Sequence, residues 1–120
     1  MPRVLLIDDT PEIAELLTFA LRDRGHEVFA TGYSTSINEL LLELHPDALV
    51  LDCSGYEMSE GLFDSVRGHP DHAGLPVVII SDRPDQAETS LRSRNARRVL
   101  VVQKPFTGRQ VATAIAQLLE

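Results

Sequence analysis

The sequence predicts an α/β fold: a single doubly wound, five-stranded parallel sheet in the order 2-1-3-4-5, with five helices. Three observations carry this. Residues 4–7, 48–51, 77–80 and 99–102 are unbroken apolar tetrads, without the in-out alternation of half-exposed strands, as expected of strands buried on both faces. Between them, apolar residues recur with the 3.6-residue spacing of amphipathic helices. Strand and helix then alternate five times, a pattern that covers a parallel sheet on both faces.

Each element has its own signals. After the first tetrad, Thr10 is placed to cap a helix with Pro11 at its first position. Ile13, Leu16, Leu17, Ala20 and Leu21 form that helix's core stripe, and Gly25 ends it. Residues 26–31 read as a second strand of mixed character, which belongs at a sheet edge. Ile37, Leu40, Leu41 and Leu44 mark a second helix that stops before Pro46, and Leu62, Phe63 and Val66 mark a third. Pro76 opens the fourth strand. Residues 84–95 offer only Ala87 and Leu91 as an apolar stripe, so the fourth helix should be the least firmly anchored. Val111, Ala114, Ile115, Leu118 and Leu119 give a well-defined fifth.

Composition narrows the function classes. With 120 residues, 43% of them hydrophobic, the chain has the size of one domain spanning residues 1–120. No apolar stretch approaches the roughly 20 residues that cross a bilayer, and the N-terminus lacks signal-peptide features, so a cytoplasmic location is expected. The single cysteine, Cys53, excludes an internal disulfide and reads as a packing residue. Eleven Lys and Arg against 18 Asp and Glu leave a net charge of −7, which disfavours direct binding of this chain to nucleic acid. Arg92, Arg94, Arg97 and Arg98 form a local basic cluster, either a solvated helix end or a contact surface for an acidic partner.

The polar residues that end the apolar runs carry the chemistry. Right-handed crossovers with helices on both faces require one reversal of winding, which opens a crevice between strands 1 and 3. Asp8, Asp9 and Asp52 end those strands, and Ser81 and Lys104 end strands 4 and 5. Like charges about 4 Å apart repel by roughly 1 kcal/mol in water and roughly 4 kcal/mol at an effective dielectric of about 20. Three carboxylates together therefore call for cations. Lys104 offsets one charge, and Mg2+ suits the rest, because it prefers one or two carboxylates completed by water and phosphate oxygens. Asp9 and Asp52 are candidate ligands. A carboxylate beside such a metal can also attack a phosphoryl group, giving an aspartyl phosphate. Lys104, Ser81 and the metal would then each hold one phosphoryl oxygen. Read singly, Asp8 and Asp9 suit a helix N-terminus, Ser81 a helix cap and Lys104 the surface. Their joint register favours the chemical reading. His69 and His72 lack the further ligands that a metal site needs, and His26 and His45 carry no signal.

Four segments in this order resemble the receiver domain of two-component response regulators, a flavodoxin-like fold: residues 6–9 (Leu-Ile-Asp-Asp), 49–52 (Leu-Val-Leu-Asp), 78–81 (Val-Ile-Ile-Ser) and 104–106 (Lys-Pro-Phe). The resemblance covers essentially the whole chain. It implies that Asp52 accepts phosphate from a histidine kinase or phosphotransfer protein. It also implies that Asp8, Asp9, Asp52 and the main-chain carbonyl of Ser54 hold Mg2+, and that Ser81 and Lys104 read the phosphoryl group. Such a domain catalyses its own phosphotransfer and dephosphorylation rather than turning over a substrate. An effector domain beyond Glu120 and a homodimer are both compatible with the pattern.

The chain also departs from that family. The loop of residues 54–61 lacks the usual Met-Pro pair, and Gly61 stands one residue late. Asp82 replaces a small residue after the hydroxyl position, and Val101 stands where an aromatic often reports the switch. Arg97 and Arg98 replace a small Gly-Ala pair, which points to a basic partner surface near Ser81 and Val101. These departures motivate an alternative, a receiver fold acting as a phosphorylation-independent interaction module. A flavodoxin-like cofactor binder is disfavoured, because no Gly- or Ser/Thr-rich phosphate loop follows strand 1.

Overall fold

The computed structural model describes every residue except Met1, Thr35 and Ser54, together with the side chain of Tyr56 left aside. Its elements run β1 (Arg3–Asp8), α1 (Pro11–Asp23), β2 (Glu27–Thr31), α2 (Ile37–Leu44), β3 (Ala48–Asp52), α3 (Tyr56–Arg67), a 3-10 turn (Pro70–His72), β4 (Val77–Ser81), α4 (Pro84–Ser93), β5 (Val99–Gln103) and α5 (Gly108–Leu119). The five strands form one parallel sheet in the order β2-β1-β3-β4-β5. Both the fold class and the edge position of the second strand are as the sequence predicts.

The sheet separates two apolar layers because alternate strand residues point to opposite faces. Val4 and Leu6 of β1, Val50 of β3 and Ile80 of β4 pack toward α1 and α5, against Leu17, Leu21, Val111 and Ile115. Leu5 and Ile7, Leu49 and Leu51, and Ile79 pack toward α2 and α3, against Ile37, Leu41, Phe63 and Val66. Side chains buried this completely each contribute about 1.5–3 kcal/mol of transfer free energy. Every residue of β3 and β4 is buried, so the strands that carry Asp52 and Ser81 form a rigid base for them.

Two local expectations are corrected. The Thr10 hydroxyl makes no cap bond to α1; its backbone N–H instead donates to the Asp8 carboxylate, Oδ1 at 2.8 Å, and its carbonyl takes the first helical bonds. Leu16 does not join the core stripe: it is 54% exposed, beside Phe19 at 77%. One turn on, Gly108 at the start of α5 packs closely on Ala20 of α1. α5 covers the α1 surface there and leaves Leu16 outside.

α4 is the thinly anchored helix that its sequence predicts, with only Ala87 and Leu91 buried. Polar contacts supplement that stripe. Arg94, just past α4, holds Asp64 of α3 through a forked pair of bonds at 2.8 and 3.1 Å, and its guanidinium lies 3.3 Å from Glu60. Glu60 also accepts a hydrogen bond from Ser90 of α4 at 2.7 Å.

Candidate functional site

The carboxyl ends of β1, β3, β4 and β5 gather five of the side chains singled out from the sequence. Asp8 and Asp52 stand opposite one another in the β1–β3 register and are 5% and 4% exposed. Asp9 follows in the exposed turn that feeds α1. Lys104 reaches from the end of β5 across β4 to place its Nζ 3.0 Å from Asp52 Oδ1. Its backbone is tied down by the Lys104 N–H, which donates to the Ser81 carbonyl at 2.9 Å. Ser81 is 5% exposed, and its Oγ accepts a hydrogen bond from the Arg83 N–H at 3.0 Å. A hydroxyl that accepts in this way keeps its O–H proton to donate elsewhere. Asp9, Asp52, Lys104 and Phe106 line an open pocket at this rim, together with Thr10, Ile13 and Leu16 of the α1 side.

The acids are electrostatically tense. Burial pushes the Asp8 carboxyl up to about 7, and the neighbouring Asp52 and Asp9 charges push the same way, while the Thr10 N–H partly opposes them. Asp8 Oδ2 is buried and has no hydrogen-bond partner. A carboxylate oxygen left bare against a second carboxylate is what a divalent cation would satisfy. Among the described residues, no three His, Cys, Asp or Glu side chains converge as a complete metal cage. The fit is therefore to an ion that takes one or two carboxylates and fills the rest of its shell with water and substrate oxygen, which is the habit of Mg2+. Ser54, whose carbonyl the sequence resemblance assigns to that shell, lies outside the described residues.

The remaining candidates lie elsewhere. Asp82 is exposed, so it does not enter the buried acid cluster. Val101 is half-buried on β5, in a groove between that strand and α4 that Arg92 and Arg97 also line. Arg97 and Arg98 are exposed, and Arg98 adopts a left-handed backbone with φ of 57°. Arg67 secures that turn by donating to the carbonyls of both, at 2.9 and 3.2 Å. Cys53 is buried, and burial raises its thiol above the ordinary range, so it is a packing residue. His72 is buried, stacks on His69 with centroids 4.5 Å apart, and hydrogen-bonds Asn38 at 2.9 Å. Sequence reasoning did not foresee the two backbone N–H groups that orient Asp8 and Ser81; Thr10 was singled out, but for its hydroxyl.

A model of the response regulator receiver domain matches residues 4–116. Among curated relatives, the DNA-binding response regulator MtrA of Mycolicibacterium smegmatis is 28% identical over 115 residues, 94% of this chain and 48% of that protein. The probable transcriptional regulatory protein TcrX of Mycobacterium tuberculosis is 31% identical over 116 residues, 97% of this chain and 49% of that protein. The chain thus spans about half the length of these relatives. Solved structures of similar fold include the chemotaxis response regulator CheY4 of Vibrio cholerae, with a TM-score of 0.82, 19% identity and 99% of each chain covered. A sensor protein from Polaromonas sp. JS666 superposes with a TM-score of 0.85 at 20% identity, covering 98% of this chain and 95% of that one. With the strand order, the buried acid pair and the Lys104–Asp52 contact joined by a family match over nearly its full length, the chain belongs to the response regulator receiver domain family.

Proposed function

We propose that this domain, residues 1–120, is a phosphorylation switch whose acceptor is Asp52 and whose donor is a histidine kinase or phosphotransfer protein. The observation that carries the reading is the placement of Lys104 Nζ 3.0 Å from a buried Asp52 carboxylate, which itself lies in register with the bare Asp8 oxygen. An Asp52 oxygen attacks the phosphorus of a phosphohistidine. The O–P bond forms, the N–P bond breaks, and the imidazole leaves with the electron pair and takes up a proton from water. Lys104 turns from Asp52 to one phosphoryl oxygen, and the Ser81 O–H donates to another. Mg2+ would be held among Asp8, Asp9 and Asp52 with the Ser54 carbonyl, taking one or two of these carboxylates directly and the rest through water, and would neutralise the charge that gathers on the phosphoryl oxygens.

Movement of Ser81 toward the phosphoryl group pulls on the Arg83 N–H bonded to it, and hence on the start of α4. This helix has the smallest apolar anchor, so a signal of this size can shift it. The readout surface then comprises Ser81, Val101, Arg97 and Arg98. Phosphotransfer and dephosphorylation are reactions of the domain on itself. The location is cytoplasmic; among the described residues no helix is long and apolar enough to cross a membrane. The relatives named as DNA-binding regulators are about twice as long, and we assign any nucleic-acid contact to an effector segment rather than to this chain of net charge −7.

The test is to incubate the chain with a small acyl phosphate and Mg2+ and to weigh it. Wild type should gain one phosphoryl group, and Asp52→Asn should gain none. An unlabelled wild type, or equal labelling of the variant, overturns the assignment. The second reading, a module that docks without phosphate, draws on Val101 in place of an aromatic. It predicts partner affinity unchanged by Asp52→Asn, whereas the switch predicts a change on phosphorylation.

A further inference from the structure

The opposite edge of the sheet, where the strands begin, carries two stacked imidazoles that the phosphorylation chemistry does not use. They shape the 3-10 turn Pro70–His72. Pro70 stands at its first position, and the Asp71 N–H donates to Nδ1 of His69 at 3.2 Å, so an imidazole lone pair caps the turn. His72 is 8% exposed, with its ring 24° from that of His69 and the centroids 4.5 Å apart. Asn38 of α2 fixes its tautomer. The Asn38 amide donates to the Ser65 carbonyl of α3 at 3.0 Å, which leaves the Asn38 oxygen to accept from His72 Nδ1 at 2.9 Å.

One guanidinium fastens this turn to the segment between α4 and β5. Arg67, at the end of α3, donates through Nη1 to the His72 carbonyl at 3.2 Å and through Nη2 to the carbonyls of Arg97 and Arg98 at 2.9 and 3.2 Å. It lies over the Phe63 ring, 4.8 Å from the centroid. Arg98 needs such a tie, because its φ of 57° is a conformation that a residue with a Cβ keeps only where its surroundings fix it. Burial, then the Arg98 charge, lower the Arg67 guanidinium below its ordinary range, so the hydrogen bonds hold this junction against like charge.

Neither ring accepts a proton without cost to the turn. With Nδ1 bare, the neutral His69 ring carries its hydrogen on Nε2, so an added proton goes to Nδ1 and ends the cap bond. A proton on His72 places a charge in a buried ring against His69, with His45 from the end of α2 and Arg67 from α3 as further positive groups. Asp71 is the acid that opposes them. Burial first, then His69 and His45, hold His72 below the ordinary imidazole value.

We propose that residues 69–72 form a proton-operated latch: uptake of a proton by the His69–His72 stack opens the turn and, through Arg67, loosens the segment of residues 94–98 that presents Arg97 and Arg98. Acid then acts on part of the readout surface from the edge of the sheet opposite Asp52, without phosphate.

The experiment is amide hydrogen exchange of the untagged chain, without phosphodonor or Mg2+, at about pH 7.5 and about pH 5.5, which bracket ordinary imidazole titration. The reporters are the His72 and Leu75 amides, which bond to the carbonyls of His69 and His72, and those of Ala96 and Val77, which bond to the carbonyls of Leu91 and Arg98. After correction for the intrinsic pH dependence of exchange, protection at all four should fall severalfold at the lower pH while β1 and β3 stay protected. His69→Asn keeps an oxygen acceptor at the cap without a titrating ring and should abolish the response. Arg67→Met keeps an apolar stem over Phe63 but no donors; acid should still open His72 and Leu75, with no acid dependence left at Ala96 and Val77. Asp8→Asn removes a carboxyl that titrates in the same span and should leave the response intact. Circular dichroism matching wild type establishes that each variant is folded. Equal protection at the two pH values, a response that survives His69→Asn, or one that vanishes in Asp8→Asn would overturn the proposal.

Discussion

Lys104 and Asp52 close an ion pair over the end of β4, Nζ to Oδ1 at 3.0 Å, with the carboxylate 4% exposed and the lysine side chain 33% exposed. Removing one member of such a pair leaves a desolvated charge behind, while the partial exposure of the lysine lets water replace some of what is lost. Lys104→Ala should therefore lower unfolding stability in metal-free buffer by about 1–3 kcal/mol. In an Asp52→Asn background the same substitution should cost almost nothing, and the difference is the coupling between the two groups. Denaturant titration of the four proteins measures it. Equal costs in both backgrounds would mean that the pair contributes no stability.

Asp8 gives the site a pH dependence with a defined sign. Burial first, then the Asp52 and Asp9 charges, lift its carboxyl from 3.8 to about 7. Between those values the folded state holds a proton that the unfolded chain has released, so this group's stabilising contribution is complete below about 4 and disappears as pH rises through 7. The slope is at most about 1.4 kcal/mol per pH unit. Asp8→Asn should melt above wild type at pH 8 without metal and gain less from added Mg2+. His72, whose ring burial and His69 lower below 6.5, acts with the opposite sign, since the unfolded chain takes up its proton first as pH falls below 6.5. Comparing wild type with Asp8→Asn across pH 5 to 8 isolates the carboxyl, because the His72 contribution is common to both.

How much of this could be read in advance follows from the range of the interactions. Strand order and the meeting of Asp8, Asp52, Ser81 and Lys104 were legible because tetrads buried on both faces mark parallel strands, and each polar residue directly follows or closely trails one. Leu16 was misread because helical periodicity gives the width of a stripe, not how far the neighbouring helix covers it. The neighbouring helix, α5, begins 92 positions beyond Leu16 in the chain. The Asn38–His72 bond and the hold of Arg94 on Asp64 join residues 34 and 30 positions apart, and no local pattern marks either. The roles of Thr10 and Arg83 rest on backbone N–H groups, which every non-proline residue carries alike.

The Arg94 contacts explain how a helix with two buried apolar residues stays in place. The guanidinium forks onto Asp64 and approaches Glu60, so α4 is held to α3 mainly by polar groups. All of these groups are partly exposed, so Arg94→Ala should cost only about 0.5–1 kcal/mol globally. Its local effect should be larger: amide hydrogen exchange in residues 84–93 should accelerate severalfold while β3 and β4 remain protected. Arg94→Lys should not restore protection, because an ammonium cannot form the planar fork. If exchange in α4 is unchanged, Arg94 does not hold the helix, and Ala87, Leu91 and the Ser90–Glu60 bond suffice.

Two helical glycines make opposite predictions from the same substitution. At Gly108 a Cβ would clash with the Ala20 Cβ, a stub on a packed helix that cannot rotate aside, so α1 and α5 must move apart. Gly108→Ala should lower stability by about 1–3 kcal/mol, the cost of overpacking a close contact. Gly61 lies within α3, and an added Cβ there meets nothing within 4 Å. Replacing it removes backbone freedom from the unfolded chain, so Gly61→Ala should raise stability by about 0.5–1 kcal/mol. Thermal melts of the two variants should therefore fall on opposite sides of wild type. A stabilising Gly108→Ala would show that α5 does not approach α1 closely enough there to exclude a methyl group.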